Sequence, residues 1–369
     1  MKKPLPRRDF LRQTGATASV LVSAMALRPH SSSAADADRR VKVGQIGTAH
    51  SHAADKIGAL RKLTDDFDFV GVVEPNAALR AQAERNPAYS GVAWMSEEQL
   101  LATPELKVVA IETGIPDLVP TAARCIAAGK HIHLDKPGGD SLAPFKQLLQ
   151  DADERKLCVQ MGYMLRHNPA IQFLLKAVRD GWLGQVFEIY ATFGKTVGDE
   201  QRRKFAEYPG GGMFELGGHL IDLVVAVLGR PDEIRVFSHR SRAPSDSLLD
   251  NQLAVFRYPQ CTATVRISLM DVDGGKRRQF VVCGSEGTVE IRPLEPSQLQ
   301  LALSKPRESY RQGFQSVALP SASGRYDDQL KELARVARGE QQPSFASTHD
   351  LIVQECLLKA SEMQKIELH

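Results

Sequence analysis

Residues 108–137 read VVAIETGIPDLVPTAARCIAAGKHIHLDKP, and this stretch decides the fold class. Val108 to Thr113 is a short, β-branched run typical of a buried strand, and Lys130 to Leu134 alternates as a second strand does. Between them, Leu118 to Ala128 has helical spacing, and Gly129 ends that helix. A strand, a helix and another strand in this order predict a βαβ unit, and such units build parallel sheets.

The same alternation extends from residue 41 to residue 162. Val41 to Gly47, Phe67 to Val73 and Cys158 to Met161 are further short apolar runs, and segments with helical spacing separate them. We therefore predict an α/β fold of the Rossmann type, a doubly wound parallel sheet, over residues 41–162.

Residues 163–369 follow a different pattern. Strand-like runs between residues 186 and 291 are joined by short polar turns, with helical segments before, among and after them. This pattern predicts a C-terminal α+β domain with a large, mostly antiparallel open sheet. Ser304 to Ser323 shows no clear periodicity and is predicted to be a long loop.

The composition limits the class of protein. The chain has 369 residues, 43% of them apolar and 25% charged, as is typical of a soluble globular protein of two domains. Its formal charge of +3 falls to −2 without residues 1–35, which hold six Lys or Arg and one Asp. Nucleic acid is therefore not an expected partner. No run of 18 apolar residues follows residue 40, so we expect no membrane span in the mature form.

Residues 1–35 resemble an export signal. A basic start precedes the weakly apolar stretch Thr14 to Leu27, and Ser33-Ala34-Ala35 offers a small-residue cleavage site. Arg7 to Arg12, with the sequence RRDFLR, resembles the twin-arginine motif. We predict a twin-arginine signal peptide over residues 1–35 and a periplasmic or secreted protein.

The first strand leads into a degraded glycine turn. A dinucleotide-binding turn has the pattern GxGxxG, and here its three glycine positions hold Gly47, Ala49 and His52. Glu74 closes the second strand, where a carboxylate can accept hydrogen bonds from a ribose diol and would repel a 2′-phosphate. These residues favour NAD over NADP.

Two other places have residues suited to catalysis. Lys136 follows a predicted strand of the parallel sheet, where ligands bind, although a solvated surface lysine would fit the same position. Behind three glycines, Glu215, His219 and Asp222 are spaced to share one helix face, which suits proton transfer. A solvated face is the alternative for these three. A metal site there is a further one, and it would need another histidine such as His50, His52 or His167.

Several motifs together resemble the Gfo/Idh/MocA family, which includes glucose–fructose oxidoreductase and inositol dehydrogenase. The family's Glu-Lys-Pro motif is present as Asp135-Lys136-Pro137, and its Gly-Tyr…Arg-x-Asn-Pro segment as residues 162–169. Residues 210–222 are similar to its glycine-rich turn and the following histidine motif, and residues 284–288 to a late strand turn. The resemblance extends over about residues 41–300.

The resemblance implies hydride transfer between NAD(P) and a carbon of a sugar, glycoside or cyclitol. Lys136 would stabilise the reacting oxygen, His219 would be the general base, and Glu215 stands where the family has aspartate. A homo-oligomer formed through the open C-terminal sheet is also implied. The residues expected to line the substrate pocket are Tyr163, Arg166 and Asp222. The expected cofactor contacts are Gly47, Thr48, Ala49, His50, His52, Glu74, Thr113, Asp135 and Lys136.

Other functions fit the same residues. Ala49 and His52, which replace two glycines, would also suit a carbohydrate-binding protein without a cofactor on the same scaffold. A metal-dependent or NAD-assisted sugar lyase or glycosidase is a further alternative. The leading prediction is an exported NAD-dependent oxidoreductase with a small carbohydrate substrate and no resident metal.

Overall fold

The computed structural model describes residues 39–321 and 323–363, so the predicted export signal lies outside the described residues. The strands are β1 (Val41–Ile46), β2 (Phe67–Val73), β3 (Trp94–Met95), β4 (Leu106–Ile111), β5 (His131–Leu134), β6 (Val159–Met161), β7 (Val186–Gly194), β8 (Glu233–His239), β9 (Asn251–Arg257), β10 (Thr262–Ser268), β11 (Gln279–Gly284), β12 (Gly287–Ile291), β13 (Leu299–Leu303) and β14 (Gly313–Val317).

The helices lie between these strands and after them. They are α1 (Ala53–Lys62), α2 (Ala77–Glu84), α3 (Glu97–Leu101), α4 (Ile115–Ala127), α5 (Leu142–Glu154), α6 (Pro169–Arg179), α7 (Asp199–Phe205), α8 (Gly218–Leu228), α9 (Asp327–Ala337) and α10 (Ser347–Ala360). Within the described ranges, no helix is long and apolar enough to cross a membrane.

The first six strands form sheet A, in the order β3-β2-β1-β4-β5-β6, with every pair parallel. This confirms the predicted Rossmann-type sheet. The strand order reverses between β1 and β4, and ligands of such sheets bind beyond the carboxyl ends at that point. Gly47, with φ +91°, ends β1 there, and a Cβ on it would lie 2.5 Å from the backbone nitrogen of Thr113. Glycine is therefore required for this turn to pass the end of β4.

The remaining strands form sheet B, in the order β14-β13-β12-β11-β7-β10-β9-β8. All its pairs are antiparallel except β7 with β10, which confirms the predicted mostly antiparallel sheet. The predicted loop over Ser304 to Ser323 is wrong in part, because it contains β14. This strand pairs only with β13 at the sheet edge, and most of its side chains are exposed, so its sequence lacks the buried alternation of an inner strand.

The segment after the three glycines also differs from the prediction. A single helix was predicted from Glu215, but the chain forms a π-helical turn over Met213–Gly217 and continues as α8. Gly218 to Val225 is buried on all sides. The predicted polar face is therefore wrong, because α10 packs over the side of α8 that carries Asp222.

The two last helices pack against the ends of sheet A. In α9, the side chain of Gln329 donates to the Met161 carbonyl at 2.7 Å, while its own carbonyl accepts from Gln160 at 2.9 Å. In α10, Gln354 donates to the Gly139 carbonyl at 2.8 Å. These bonds satisfy the carbonyl of the last residue of β6 and a carbonyl in the segment after β5. The C-terminal helices therefore help to fix the strand ends where ligands are expected.

Arg166 and Asp222 form a buried ion pair between α8 and the segment after β6. Arg166 donates to Asp222 through Nη2 at 2.6 Å and through Nε at 3.0 Å, and it also pairs with Asp350 of α10. His349 contacts Asp222 at 2.9 Å. Burial alone would raise the pKa of Asp222, but the Arg166 charge outweighs it and lowers that pKa. Arg166 therefore compensates the buried charge of Asp222 inside the protein.

Replacing Asp222 with alanine would leave Arg166 buried with one carboxylate instead of two. We expect the free energy of unfolding to fall by about 3–5 kcal/mol, because a buried ion pair is broken and Nε of Arg166 loses its carboxylate acceptor. Urea denaturation followed by circular dichroism measures this change. Glu233→Ala, which removes the partner of two exposed arginines on sheet B, is the control and should change stability little. Unchanged stability with weakened substrate binding in Asp222→Ala would contradict this structural role.

Candidate active site

A cleft of about 930 Å³ lies at the carboxyl ends of β1, β4 and β5. One wall comes from the turn after β1 and the segment after β4, and the other from sheet B and the π-helical turn. Lys136, Glu215 and His219 all line it, although some 80 residues separate Lys136 from the other two in sequence. The cleft thus lies where the order of strands in sheet A predicts a ligand site.

Lys136 joins the two walls of the cleft. Its Nζ donates to the Glu215 backbone carbonyl at 2.8 Å and approaches the Glu215 carboxylate at 3.2 Å. The Lys136 side chain is 3% exposed, and that of Glu215 is 19% exposed. An ammonium group has three donors. One N–H of Lys136 therefore remains for a ligand oxygen in the cleft.

His219 lies beside this pair with a neutral imidazole. Its ring packs between Tyr163, with centroids 6.0 Å apart, and Phe193, at 6.1 Å. Burial, together with the nearby Lys136 charge, holds the pKa of His219 well below its usual value. Among the residues that the structure describes, none hydrogen-bonds to its Nδ1. Because a neutral imidazole has one unprotonated nitrogen, the ring can accept a proton, as a general base must.

The glycine turn and the end of β2 are tied together. Thr48 donates to the Glu74 carboxylate through its backbone N–H and its hydroxyl, both at 2.8 Å, and Asn76 donates a backbone N–H at 3.0 Å. These bonds hold the Glu74 carboxylate beside the turn, and Ala49 is exposed at the cleft.

The residues at the turn fit a dinucleotide. Gly47 adopts the conformation that a glycine turn requires, and α1 begins directly behind it with N–H groups that have no acceptor within the helix. Such groups favour a pyrophosphate. Gly47, Thr48, Glu74 and the first turn of α1 would hold the nucleotide half, which would leave the nicotinamide half facing Lys136.

A cluster of charged and imidazole side chains lies beneath the turn. Asp135 Oδ2 is 3.1 Å from His50 Nδ1, 3.3 Å from His52 Nδ1 and 3.7 Å from Lys56 Nζ. Lys56 is fully buried, and its Nζ lies 3.8 Å from Glu112 Oε1. Lys56 also makes a short contact with His133 Nε2.

The charges in this cluster change several pKa values. Burial raises the pKa of Glu112 well above its usual value, and the Asp135 charge adds to this effect. Burial would also raise the pKa of Asp135, but His50 and Lys56 outweigh it and lower that pKa. Burial and Lys56 lower the pKa of His133 to about 3. At neutral pH the cluster therefore contains an ionised Asp135 and a neutral His133.

The structure brings some of the predicted site residues together and separates others. Lys136, Glu215 and His219 meet in the cleft, and His50, His52 and Thr113 line it nearby. Arg166 and Asp222, predicted to line the substrate pocket, lie instead in the buried ion pair described above. Asp222 faces Arg166 and His349, so it does not line the cleft with Glu215 and His219.

Sequence reasoning missed four polar residues at the site. Lys195 and Arg278 line the cleft, and burial lowers the pKa of each. Lys56 and Glu112 lie in the cluster beneath the turn. Lys56 stands one helical turn after His52, and Glu112 directly follows a strand, so both positions carried a signal.

Sequence profiles of known families match two parts of the chain. Residues 41–163 match the profile described as "Oxidoreductase family, NAD-binding Rossmann fold", and residues 171–290 match the Gfo/Idh/MocA C-terminal domain. Together the two matches cover more than half of the chain.

Individual relatives are more distant. The oxidoreductase YhhX of Escherichia coli is 29% identical over 213 residues, which are 56% of this chain and 59% of that protein. Trans-1,2-dihydrobenzene-1,2-diol dehydrogenase of Bos taurus is 27% identical over 45% of this chain and 50% of that protein. The matched region thus spans 50% to 59% of the length of these curated relatives.

Among solved structures, aldose-aldose oxidoreductase from Caulobacter crescentus has a similar fold. It superimposes with a TM-score of 0.73 at 20% identity, over 88% of this chain and 98% of that structure. With the two profiles, the parallel order of sheet A and the Lys136–His219 cleft, these likenesses agree: the chain belongs to the Gfo/Idh/MocA family of NAD-binding oxidoreductases.

Proposed function

We propose that the protein is an NAD-dependent dehydrogenase that oxidises a hydroxyl-bearing carbon of a sugar, glycoside or cyclitol, or reduces the corresponding carbonyl. One observation supports this most strongly. Lys136, from the nucleotide-binding sheet, contacts Glu215 and lines the same cleft as the neutral His219. The structural likeness to aldose-aldose oxidoreductase supports a sugar substrate. The Glu74 carboxylate beside the turn favours NAD, because it would repel the 2′-phosphate of NADP.

His219 and Lys136 divide the work on the substrate oxygen. When bound, NAD supplies the acceptor for a hydride from the reacting carbon. The neutral imidazole of His219 takes the hydroxyl proton, and it returns that proton in the reverse direction. The free N–H of Lys136 hydrogen-bonds the same oxygen and stabilises the negative charge that develops there. Glu215 holds the Lys136 ammonium in place through its carbonyl and its carboxylate.

Lys136→Met tests the electrostatic role, because methionine keeps the length of the side chain and removes the charge. We expect kcat to fall about 10²–10³-fold, as when one oxyanion donor is removed, with NAD affinity little changed. Steady-state kinetics on a panel of sugars and NAD titration by calorimetry measure the two effects.

Lys130→Met is the matched control, since Lys130 lies at the opposite end of β5 and bonds the Leu106 carbonyl. It should retain wild-type kcat. Full activity in Lys136→Met would exclude the proposed role of this lysine.

The pH dependence of kcat/KM tests His219. Because its pKa is lowered, the imidazole stays neutral at pH 6.5 and somewhat below, where an ordinary histidine is half protonated. We expect oxidation to keep its kcat/KM as the pH falls to about 6.5, and to lose it only at lower pH. A loss of activity centred above pH 6.5 that disappears in His219→Gln would contradict this proposal.

We also propose that a second copy of the chain covers the open face of sheet B. The large apolar side chains that remain exposed in the described residues all belong to this sheet or its connections: Phe187, Tyr190, Phe237, Met270, Val272 and Phe314. Light scattering after size exclusion should give a dimer or larger assembly, and Tyr190→Glu with Phe237→Glu should shift it to the monomer. A wild-type monomer at micromolar concentration would contradict this proposal.

A further inference from the structure

The turn after β1 and the ends of β4 and β5 gather metal-binding atoms on the side of the cleft. We propose that His50, His52 and Asp135 bind one divalent transition-metal ion of the zinc type, with Glu112 beside it. This site is separate from Lys136 and His219, and the proposal does not depend on hydride transfer. Two imidazoles and a carboxylate form a donor set that suits Zn²⁺, Fe²⁺ or Mn²⁺.

The distances between the donor atoms fit a shared ion. Nδ1 of His50 and of His52 lie 3.1 and 3.3 Å from Asp135 Oδ2. Ligands held about 2.1 Å from one ion are about 3.0 Å apart in an octahedral site and about 3.4 Å apart in a tetrahedral one. One donor atom from each of the three residues lies within 4.8 Å of the others. The spacing is that of ligands around a common centre.

Hydrogen bonds of good geometry account for only part of these close approaches. Within the described ranges, Asp135 Oδ2 and His52 Nδ1 make no hydrogen bond, despite the short distance between them. His50 Nδ1 accepts the backbone N–H of His52 at 3.3 Å. The nitrogen that accepts cannot also donate a proton to Asp135. In the tautomer that leaves Nδ1 unprotonated, a lone pair of His50 lies close to a carboxylate oxygen, an arrangement that a cation between them would stabilise.

Glu112 is a second, independent sign that a cation binds here. It is fully buried, and both its carboxylate oxygens lack a hydrogen-bond partner in the described part of the chain. Its Oε2 lies 3.8 Å from His50 Nδ1. Lys56 Nζ lies 3.8 Å from Oε1, too far for a hydrogen bond, and a buried carboxyl group normally has a closer partner. A metal ion at His50 would supply that partner.

The surroundings hold the ligands in position. The other oxygen of Asp135 accepts the Lys136 backbone N–H at 2.7 Å, and the Glu112 carbonyl accepts the His50 backbone N–H at 3.0 Å. Lys56 lies 3.7 Å from Asp135 and 3.8 Å from Glu112, which offsets part of their charge without bonding to their oxygens. Bonds of this kind orient ligands in known metal sites.

The only comparable group of donors in the described residues is already satisfied. Asp222, His349 and Asp350 also lie close together, but Arg166 donates to both carboxylates. His349 lies within hydrogen-bond distance of Asp222, at 2.9 Å. That group resembles a completed ion-pair network. The group at His50 differs because Asp135 Oδ2 and His52 Nδ1 have no hydrogen bond of good geometry within the described residues.

Zinc binding to the chelator-treated full-length protein tests the proposal. Calorimetry should show one Zn²⁺ per chain, and elemental analysis of the protein as purified should show about one metal ion. His52→Ala and Asp135→Asn should weaken Zn²⁺ binding more than 10-fold, and Glu112→Gln, which keeps the side-chain shape, should weaken it about 10-fold. His239→Ala, at an exposed histidine on β8, is the control and should bind as the wild type does.

Thermal unfolding shows whether each variant is folded. Without metal, His52→Ala should unfold near the wild-type temperature, because its side chain is partly exposed, and added Zn²⁺ should raise that temperature only for proteins with the site intact. No stoichiometric binding by the wild type, or equal binding by His52→Ala and Asp135→Asn, would overturn the proposal. NAD titration of the metal-free protein tests the dehydrogenase separately, so the two proposals can fail independently.

Discussion

The contact between Lys136 and Glu215 is the interaction on which the site depends. It joins the end of β5 in sheet A to the π-helical turn before α8, and so connects the nucleotide-binding sheet with the wall formed by sheet B. A lysine that is 3% exposed needs such partners, because a buried ammonium without them is costly. The same contact aims the lysine into the cleft beside His219. The Lys136–Glu215 contact therefore stabilises the packing of the two walls and also positions Lys136 for the proposed chemistry.

Burial divides the ionisable groups of this region into two sets. His219 is neutral and faces the cleft, as a proton acceptor must. Beneath the glycine turn, Asp135 and Lys56 are enclosed with Glu112 and with imidazoles whose approaches hydrogen bonds do not fully explain. Groups with strongly shifted pKa values often mark functional sites. Here the groups with shifted pKa values, His219 on one side and Asp135 with Glu112 on the other, flank Lys136. Charges at the first turn and in the catalytic cleft therefore influence one another.

Local patterns predicted the architecture well and the ion pairs poorly. Alternating runs and closing glycines were enough for sheet A and for the position of Lys136, since both depend on nearby residues. Helical spacing grouped Asp222 with His219, but it could not show that α10 and Arg166 cover that side of the helix. The cluster of Lys56 and Glu112 was missed because α1 and the ends of β4 and β5, which are distant in sequence, create it. Such contacts depend on tertiary packing rather than on local periodicity.

The central claim is that the cleft beside Lys136 holds a nicotinamide dinucleotide, although two of the three glycine positions are Ala49 and His52. The most direct measurement is mass spectrometry of the small molecules released when the purified protein is denatured, together with thermal unfolding in added NAD. We predict that NAD is released or that added NAD raises the unfolding temperature. Absence of nicotinamide, with no NAD-dependent change in that temperature, would contradict the account and favour a carbohydrate-binding protein without a cofactor.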